Sequence, residues 1–159
     1  MKIRVGLGYD VHQLKEGRPC VLGGVLFDST LGPDGHSDAD VLLHAICDAI
    51  LGAAGLRDIG YHFPNTDDSL KNVDSRLLLK EVMELIKKEG YRVENVDATL
   101  VSEQPKISPK IREMKESIAG LCNIEANAVG VKATTSEKLG FIGREEGLAA
   151  QAVVLLIMD

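Results

Sequence analysis

Alternating apolar and polar positions predict a β-strand near the amino terminus, over residues 3–12. Two sets of residues alternate along it: Val5, Leu7, Tyr9 and Val11 on one face, and Gly6, Gly8, Asp10 and His12 on the other. The strand is therefore predicted to have one apolar face and one face that carries chemistry. Further along, two short apolar runs flank Gly23-Gly24, which is typical of a β-hairpin.

Apolar residues at helical spacing predict a first helix that is capped by Ser37 or Asp38 and ends near Gly55. Its core-facing stripe consists of Val41, Leu42, Ala45, Ile46, Ala49 and Ile50. A second helix is predicted from a cap at Asp74 or Ser75 to about residue 90. The side chains expected to point inward from it are Leu77, Leu78, Val82, Leu85 and Ile86.

The remaining pattern predicts a third helix and three more strands. The helix covers residues 108–122, the strands cover residues 92–103, 129–135 and 149–158, and loops cover residues 58–69 and 136–147. The last strand is apolar enough to be buried on both faces. This order of elements predicts a single α+β domain over residues 1–159, a two-layer structure with helices packed on one face of a mostly antiparallel or mixed sheet.

Composition and charge limit the classes of molecule that the protein is expected to bind. The 159 residues include 24 acidic and 18 basic side chains, a formal net charge of −6, which disfavours a nucleic-acid partner. An anionic ligand would need local metals, backbone amides or single cations. The cysteines, Cys20, Cys47 and Cys122, lack C-x-x-C spacing, which indicates packing residues in a reducing cytoplasm. No signal segment is expected, and the longest apolar run, residues 152–158, is far below the roughly 18 residues of a membrane span.

Asp10, His12 and His44 are candidate metal ligands. Asp10 and His12 leave the same face of the first strand, and His44 follows on the first helix. Asp40 or Asp48, one helical turn from His44, is expected to orient its second nitrogen. An Asp/His/His set with an open fourth position is typical of catalytic zinc. The spacing alone leaves open that these are hydrogen-bonded core or surface histidines.

Two further features are ambiguous by spacing alone. His36 and His62 could be ligands or ordinary histidines. The segment Thr134-Thr135-Ser136-x-Lys138 offers hydroxyls, amides and a cation, which suits a phosphate group as well as a polar turn.

Five separated segments, in order along the whole chain, resemble the 2-C-methyl-D-erythritol 2,4-cyclodiphosphate synthase family. They are GLGYDVH at residues 6–12, GHSDADVLLH at 35–44, DIGYHFP at 58–64, PK at 105–106 and KATTSEKLGF at 132–141. The resemblance implies a homotrimer with active sites between neighbouring subunits, in the non-mevalonate route to isoprenoid precursors. The implied reaction converts 4-diphosphocytidyl-2-C-methyl-D-erythritol 2-phosphate to the 2,4-cyclodiphosphate and CMP, by attack of the 2-phosphate on the β-phosphorus.

The resemblance also implies roles for individual residues. Asp10, His12 and His44 match zinc ligands, although another divalent transition metal could occupy the site, and Glu137 matches a ligand of magnesium or manganese. The implied catalytic residues are His36 and Thr135, which stabilise the negative charge that develops during the reaction. The implied substrate contacts are Asp10, His12, His36, Ser37, Asp58, Ile59, Gly60, Phe63, Pro64, Asn65, Thr66, Asp67, Ser102, Glu103, Gln104, Pro105, Lys106, Ile107, Ser108, Thr134, Thr135, Ser136, Glu137, Phe141 and Arg144. Among them, residues 102–108 match the segment that forms the cytosine pocket.

The chain departs from the family pattern at Asn65 and Asp68, where Asp and Pro are expected. Two other interpretations remain open at this point. One is a zinc phosphoesterase that acts on a nucleotide diphosphate. The other is a non-catalytic trimer that binds metal or isoprenoid diphosphates, with Phe141, Arg144 and Glu146 lining a central channel.

Overall fold

The computed structural model describes residues 2–158, which form a five-stranded mixed sheet with helices on one face. The strands are β1 (Lys2–Glu16), β2 (Cys20–Leu22), β3 (Val25–Phe27), β4 (Leu31–Asp34), β5 (Arg92–Val101), β6 (Val129–Thr134) and β7 (Gly147–Met158). The helices are α1 (Val41–Ala54), α2 (Ile59–His62), α3 (Ser75–Lys88), α4 (Ile111–Cys122) and α5 (Gly140–Gly143), with 3-10 turns at Asp68–Leu70, Ser108–Lys110 and Ala126–Ala128. None of the helices within residues 2–158 has the length and apolarity to cross a membrane. The predicted α+β fold on a mixed sheet is confirmed.

The sheet brings the candidate residues to one edge. Strands β4, β1, β7, β5 and β6 lie side by side in that order, while β2 and β3 form the hairpin predicted around Gly23-Gly24. Strand β7 is antiparallel to β1 and β5, and β6 is parallel to β5. Strands β1, β5 and β6 therefore run in one direction. The candidate positions 10 and 12 lie in the carboxyl half of β1, and positions 102–108 and 134–137 lie at or beyond the carboxyl ends of β5 and β6.

Helix α1 packs directly on β1 because two glycines of the strand leave room for its backbone. A Cβ added to Gly8 would lie 1.9 Å from the carbonyl oxygen of Ala45. A Cβ added to Gly6 would lie 1.9 Å from the carbonyl oxygen of Ala49. Strands β1 and β7 and helix α3 all contact α1, so the helix is buried on nearly every side, including the predicted stripe.

The helix caps differ in part from the prediction. Helix α1 is capped by Asp40, whose carboxylate accepts the Leu43 N–H at 3.1 Å, so the prediction of Ser37 or Asp38 is wrong. Asp74 caps α3, as one of the two predicted alternatives.

Other expectations are wrong for local reasons. Residues 58–69 contain α2 and a 3-10 turn, and residues 136–147 contain α5, because helices of a single turn have no apolar period to detect. Leu77 is 51% exposed, while Leu79 lies in the core in its place. Strand β7 is not buried on both faces, since Val153 is 42% exposed on the face opposite the helices.

That second face of the sheet is apolar and open. Its exposed side chains are Ile3, Val5, Leu7, Tyr9, Val11 and Val153, each between 42% and 70% accessible, and we call this set the uncovered face. The two strands that carry it are paired so that Leu7 lies opposite Val153. A contiguous exposed apolar patch of this kind marks an interaction surface.

Candidate metal and substrate site

Three side chains that the sequence singled out converge beside the carboxyl half of β1. Asp10 and His12 come from the strand, and His44 comes from α1, which the glycines of β1 hold close. The Oδ2 atom of Asp10 lies 2.9 Å from His12 Nε2 and 3.0 Å from His44 Nδ1, and the two ring nitrogens are 3.1 Å apart. The predicted convergence is confirmed, and the three residues form a group that could hold a metal ion.

The hydrogen bonds around this group favour a cation at its centre. His12 Nδ1 donates to the carbonyl oxygen of Asp34 at 3.0 Å, which leaves the inward Nε2 of a neutral ring with a lone pair. His44 Nδ1 is turned inward in the same way, toward the carboxylate of Asp10. Three electron-pair donors thus face one another, and two imidazoles with one carboxylate suit zinc with an open fourth position.

The ionisation of Asp10 suits a carboxylate that binds a metal ion. Burial acts to raise the pKa of its carboxyl group, but hydrogen bonds and charge from His12 and His44 outweigh burial and lower that pKa to about 2. Burial acts to lower the pKa of His12, yet the neighbouring Asp10 carboxylate raises it above the usual histidine value. Asp10 is therefore an anion at neutral pH, as a metal-binding carboxylate must be.

The second nitrogen of His44 is held by hydroxyl groups. Its Nε2 lies 2.8 Å from Ser75 Oγ and 3.2 Å from Ser37 Oγ. The prediction that Asp40 or Asp48 orients this nitrogen is wrong, because both carboxylates are used elsewhere. Asp40 accepts two backbone amides of the β2–β3 turn, and Asp48 accepts the first amide of α2.

A cavity of about 350 Å³ opens beside the metal group. It is lined by Asp10, His12, Gly35, His36, Ser37, His44, Ile59, Gly60, Phe63, Asn65, Leu70, Val73 and Leu78. Most of these were implied by the resemblance, whereas the apolar wall of Leu70, Val73 and Leu78 was missed because nothing separates such residues from ordinary core positions. The implied contacts Asp58, Pro64, Thr66 and Asp67 flank the cavity without lining it.

The segment on the far side of this cavity is tied to His36. The Nε2 atom of His36 donates to the carbonyl oxygen of Asp67 at 2.9 Å, and the Asn72 N–H donates to the carbonyl oxygen of His36 at 2.7 Å. His62 is outside the group, since its Nε2 donates to the carbonyl oxygen of Leu56 at 2.7 Å. Of the ambiguous histidines, only His36 therefore lines the cavity among the described residues.

A second, smaller cavity of about 210 Å³ lies at the carboxyl ends of β5 and β6. Its lining is Ser102, Glu103, Pro105, Lys106, Ile107, Ser108, Ala133, Thr134 and Thr135. The structure thus brings together the segment matched to a cytosine pocket and the threonines matched to diphosphate contacts. The implied contacts Gln104, Ser136, Glu137, Phe141 and Arg144 lie outside this lining.

Glu103 joins the two segments of the second cavity. Its Oε1 accepts the backbone N–H of Ser136 at 3.1 Å and that of Lys138 at 3.2 Å. Glu137 and Lys138 have positive φ angles of 54° and 62°, an arrangement that costs free energy without such support. Thr135 Oγ1 donates to Glu137 Oε1 at 3.1 Å, so the loop that follows β6 is internally bonded.

The two cavities have no lining residue in common. Strands β7 and β5 lie between β1, which carries Asp10 and His12, and β6, which ends at Thr134. The Thr134–Thr135 pair is therefore remote from the metal group within one chain. A groove of about 870 Å³ beside Tyr91 and Asn123 lies at the opposite edge of the sheet, where β5 begins. The candidate site therefore consists of two separate cavities, which we call the half-sites, at one edge of the sheet.

Comparison with known proteins identifies the family of the chain. A model of the YgbB family matches residues 3–157. The chain is 61% identical over 157 residues to the 2-C-methyl-D-erythritol 2,4-cyclodiphosphate synthase of Cytophaga hutchinsonii, and these residues make up 99% of each of the two chains. The bifunctional IspDF structure from Campylobacter jejuni has a TM-score of 0.95 and 43% identity, over 99% of this chain and 43% of that longer one.

A structure of IspF from Plasmodium falciparum in complex with CDP is also similar. Its TM-score is 0.86 at 37% identity, over 99% of this chain and 97% of that one. The match of the family model along almost the whole chain, together with relatives of this identity, shows that the chain belongs to the YgbB family, as its resemblance to the 2-C-methyl-D-erythritol 2,4-cyclodiphosphate synthases predicts.

Proposed function

We propose that the chain converts 4-diphosphocytidyl-2-C-methyl-D-erythritol 2-phosphate to 2-C-methyl-D-erythritol 2,4-cyclodiphosphate and CMP. The observation that carries this proposal is the group of Asp10, His12 and His44 at the mouth of the larger cavity. Curated relatives with the synthase name support the reaction, and a neighbour solved with CDP supports a cytidine nucleotide as part of the substrate.

The reaction requires alignment and charge neutralisation more than a strong base. The attacking 2-phosphate oxygen is already an anion at neutral pH, so no group of the protein must remove a proton from it. Zinc on Asp10, His12 and His44, with magnesium near Glu137, would supply positive charge to the phosphate oxygens when bound. His36 and Ser37 line the cavity beside that position and could hold phosphate oxygens in line for attack. Thr135 would stabilise the negative charge that develops on the phosphate oxygens.

Metal ions also explain how an acidic protein holds a polyanion. The formal net charge is −6, and Asp10 and Glu103 place carboxylates in the linings of the two half-sites. Lys106 in the second cavity is one local cation. Divalent ions at both half-sites would reverse the sign of the potential that the phosphates meet.

We propose a homotrimer in which the half-sites of neighbouring subunits meet. Two observations support it: the half-sites are separate within one chain, and the uncovered face leaves six apolar residues open. Packing three sheets by this face would bury those side chains and bring the Thr134–Thr135 end of one subunit toward the metal group of the next. The three cysteines are free and buried, which supports our proposal that the protein works in the reducing cytoplasm.

A direct assay tests the reaction. Purified protein is incubated with the cytidylyl substrate and magnesium, with and without a zinc chelator, and CMP and the phosphate product are measured. We expect CMP together with a cyclic product, and loss of both after chelation. A linear phosphate product would indicate a phosphoesterase instead. Tight diphosphate binding without CMP release would indicate the non-catalytic trimer, and either result would refute the proposed reaction.

A matched pair of histidine variants tests the metal group. His12→Ala removes one ligand, so we expect at least a tenfold loss of zinc affinity and a larger loss of turnover. His62→Ala removes a histidine that donates to the Leu56 carbonyl oxygen and packs against the rings of Tyr61 and Phe63, outside the metal group, and we expect normal zinc content. His44 is a poorer choice because it is only 9% exposed and its removal would also cost stability. Equal zinc content in the two variants would contradict the ligand assignment.

A further inference from the structure

A chain of hydrogen bonds reaches the metal group from helix α3. Ser75 is the first residue of that helix and is fully buried. Its hydroxyl lies 2.8 Å from Nε2 of His44 and also donates to Oδ1 of Asp38. Its backbone N–H donates to the other carboxylate oxygen, Oδ2 of Asp38, at 3.1 Å. Asp38 therefore holds Ser75 by two bonds at once.

The directions of these bonds follow from counting hydrogens. An ionised carboxylate only accepts, so the single hydroxyl hydrogen of Ser75 points to Asp38. The Ser75 oxygen then turns a lone pair toward His44 and must accept the Nε2 hydrogen. A neutral His44 ring with its hydrogen on Nε2 has its free lone pair on Nδ1, the atom that lies 3.0 Å from Asp10 Oδ2 in the metal group.

Ser37 cannot fix the ring in the same way. Its hydroxyl oxygen is farther from His44 Nε2, at 3.2 Å, and it already accepts the Ala39 N–H at 3.0 Å. None of the described contacts holds the remaining hydrogen of Ser37 on an acceptor that would set its direction. Of the two hydroxyls at His44, the one with a carboxylate behind it is that of Ser75.

The surrounding backbone keeps this chain of bonds in place. Asp38 N–H donates to the carbonyl oxygen of Val73 at 3.0 Å, and Asn72 N–H donates to that of His36 at 2.7 Å. The segment before α1 is thereby joined to the segment before α3. The distance between His44 and Ser75 is then set by two fixed backbone segments rather than by a mobile side chain.

We propose that Ser75 and Asp38 are positioning residues for the metal ligand His44: they fix its tautomer and ring orientation so that Nδ1 is ready to bind the ion. This inference rests on the metal site of the proposed function and adds residues that the ligand set does not include. Groups that hold the second nitrogen of a metal-binding histidine change metal affinity by about 10- to 100-fold when they are removed.

The test compares the zinc affinity of the unaltered chain with that of three variants, measured by competition with a chromophoric chelator. Ser75→Ala removes the hydroxyl, and we expect zinc to bind about 10- to 100-fold more weakly. Ser75→Thr keeps a hydroxyl at the same position and is expected to restore most of the affinity. Asp74→Ala is the matched control, because it removes the N-cap of the same helix but leaves the Ser75 hydroxyl in place. It should lower the urea midpoint without changing zinc affinity.

A spectroscopic measurement separates positioning from a general loss of structure. With Co²⁺ in place of zinc, the visible absorption bands report the ligand geometry, and we expect them to shift in Ser75→Ala and to remain unchanged in Asp74→Ala. Unchanged zinc affinity and an unchanged cobalt spectrum in folded Ser75→Ala would overturn the inference while leaving the proposed reaction intact. If the unaltered chain binds no zinc, the metal site of the proposed function fails and this inference fails with it.

Discussion

The two faces of strand β1 carry opposite kinds of side chains and have opposite surroundings. One face has Gly6, Gly8, Asp10 and His12 and is covered by helix α1. The other has Val5, Leu7, Tyr9 and Val11, all at least 42% exposed. In most half-buried strands the apolar face is the one that packs on the core. Here the glycines pack on the core and the large apolar residues remain open.

This difference follows from the demands of the metal group. His44 on α1 can meet Asp10 and His12 on β1 only if helix and strand approach very closely, and glycines permit that approach. Large apolar residues on the same face would push the helix away. They therefore occupy the other face, where a second protein surface can bury them.

The largest effect is expected from closing the space at Gly8. In Gly8→Ala the new Cβ would lie 1.9 Å from the carbonyl oxygen of Ala45 and 2.7 Å from the backbone nitrogen of Ala49. Both atoms are backbone of a buried helix, so neither can move alone. We expect the free energy of unfolding to fall by more than about 3 kcal/mol, measured by urea denaturation. An unchanged midpoint would show that α1 does not lie this close to β1.

A charge on the uncovered face should break assembly and spare the single chain. Leu7→Lys places an ammonium where the side chain is 70% exposed in one chain but buried in the proposed trimer. Burying that charge without a partner costs several kcal/mol per subunit. We expect monomers by sedimentation equilibrium, near-normal zinc binding and loss of CMP release, since the half-sites would no longer meet.

The control for this variant is Leu77→Lys. Leu77 is 51% exposed on α3, away from the uncovered face, so the same change should leave the oligomeric state as it was. A Leu7→Lys protein that remains a trimer would exclude this face as the subunit interface.

Much of the fold was accessible from periodicity, but the choice of covered face was not. The alternation in β1 and the apolar stripe of α1 are local patterns, and both elements form at the predicted place, although β1 continues to Glu16 and α1 begins only at Val41. Whether Gly8 or Leu7 faces a helix depends on what packs against the strand, and alternation is the same in either case. The single-turn helices α2 and α5 gave no signal, because a helix of one turn is too short to show an apolar period.

The site divides in a similar way. Asp10, His12 and His44 converge because they lie on regular elements, where spacing fixes direction. The loop after β6 has two successive positive φ angles at Glu137 and Lys138, and no propensity rule places side chains there. Residue chemistry alone suited Thr134, Thr135 and Lys138 to a phosphate group or to a polar turn, and the role of Glu137 came only from the resemblance. Ser75 was missed as a partner of His44 because 31 positions separate them and only the packing of α3 on α1 brings them together.

The smallest effect is expected at a glycine that has no close neighbour. Gly52 lies in the last turn of α1, and a Cβ added there would have nothing within 4 Å. Alanine loses less backbone entropy than glycine when it enters a helix, so Gly52→Ala should raise the free energy of unfolding by about 0.5–1 kcal/mol. The same urea titration measures it and provides the control for Gly8→Ala, because the substitution is identical and only the neighbours differ. If both variants lost stability equally, close approach at β1 would not explain the glycines on its covered face.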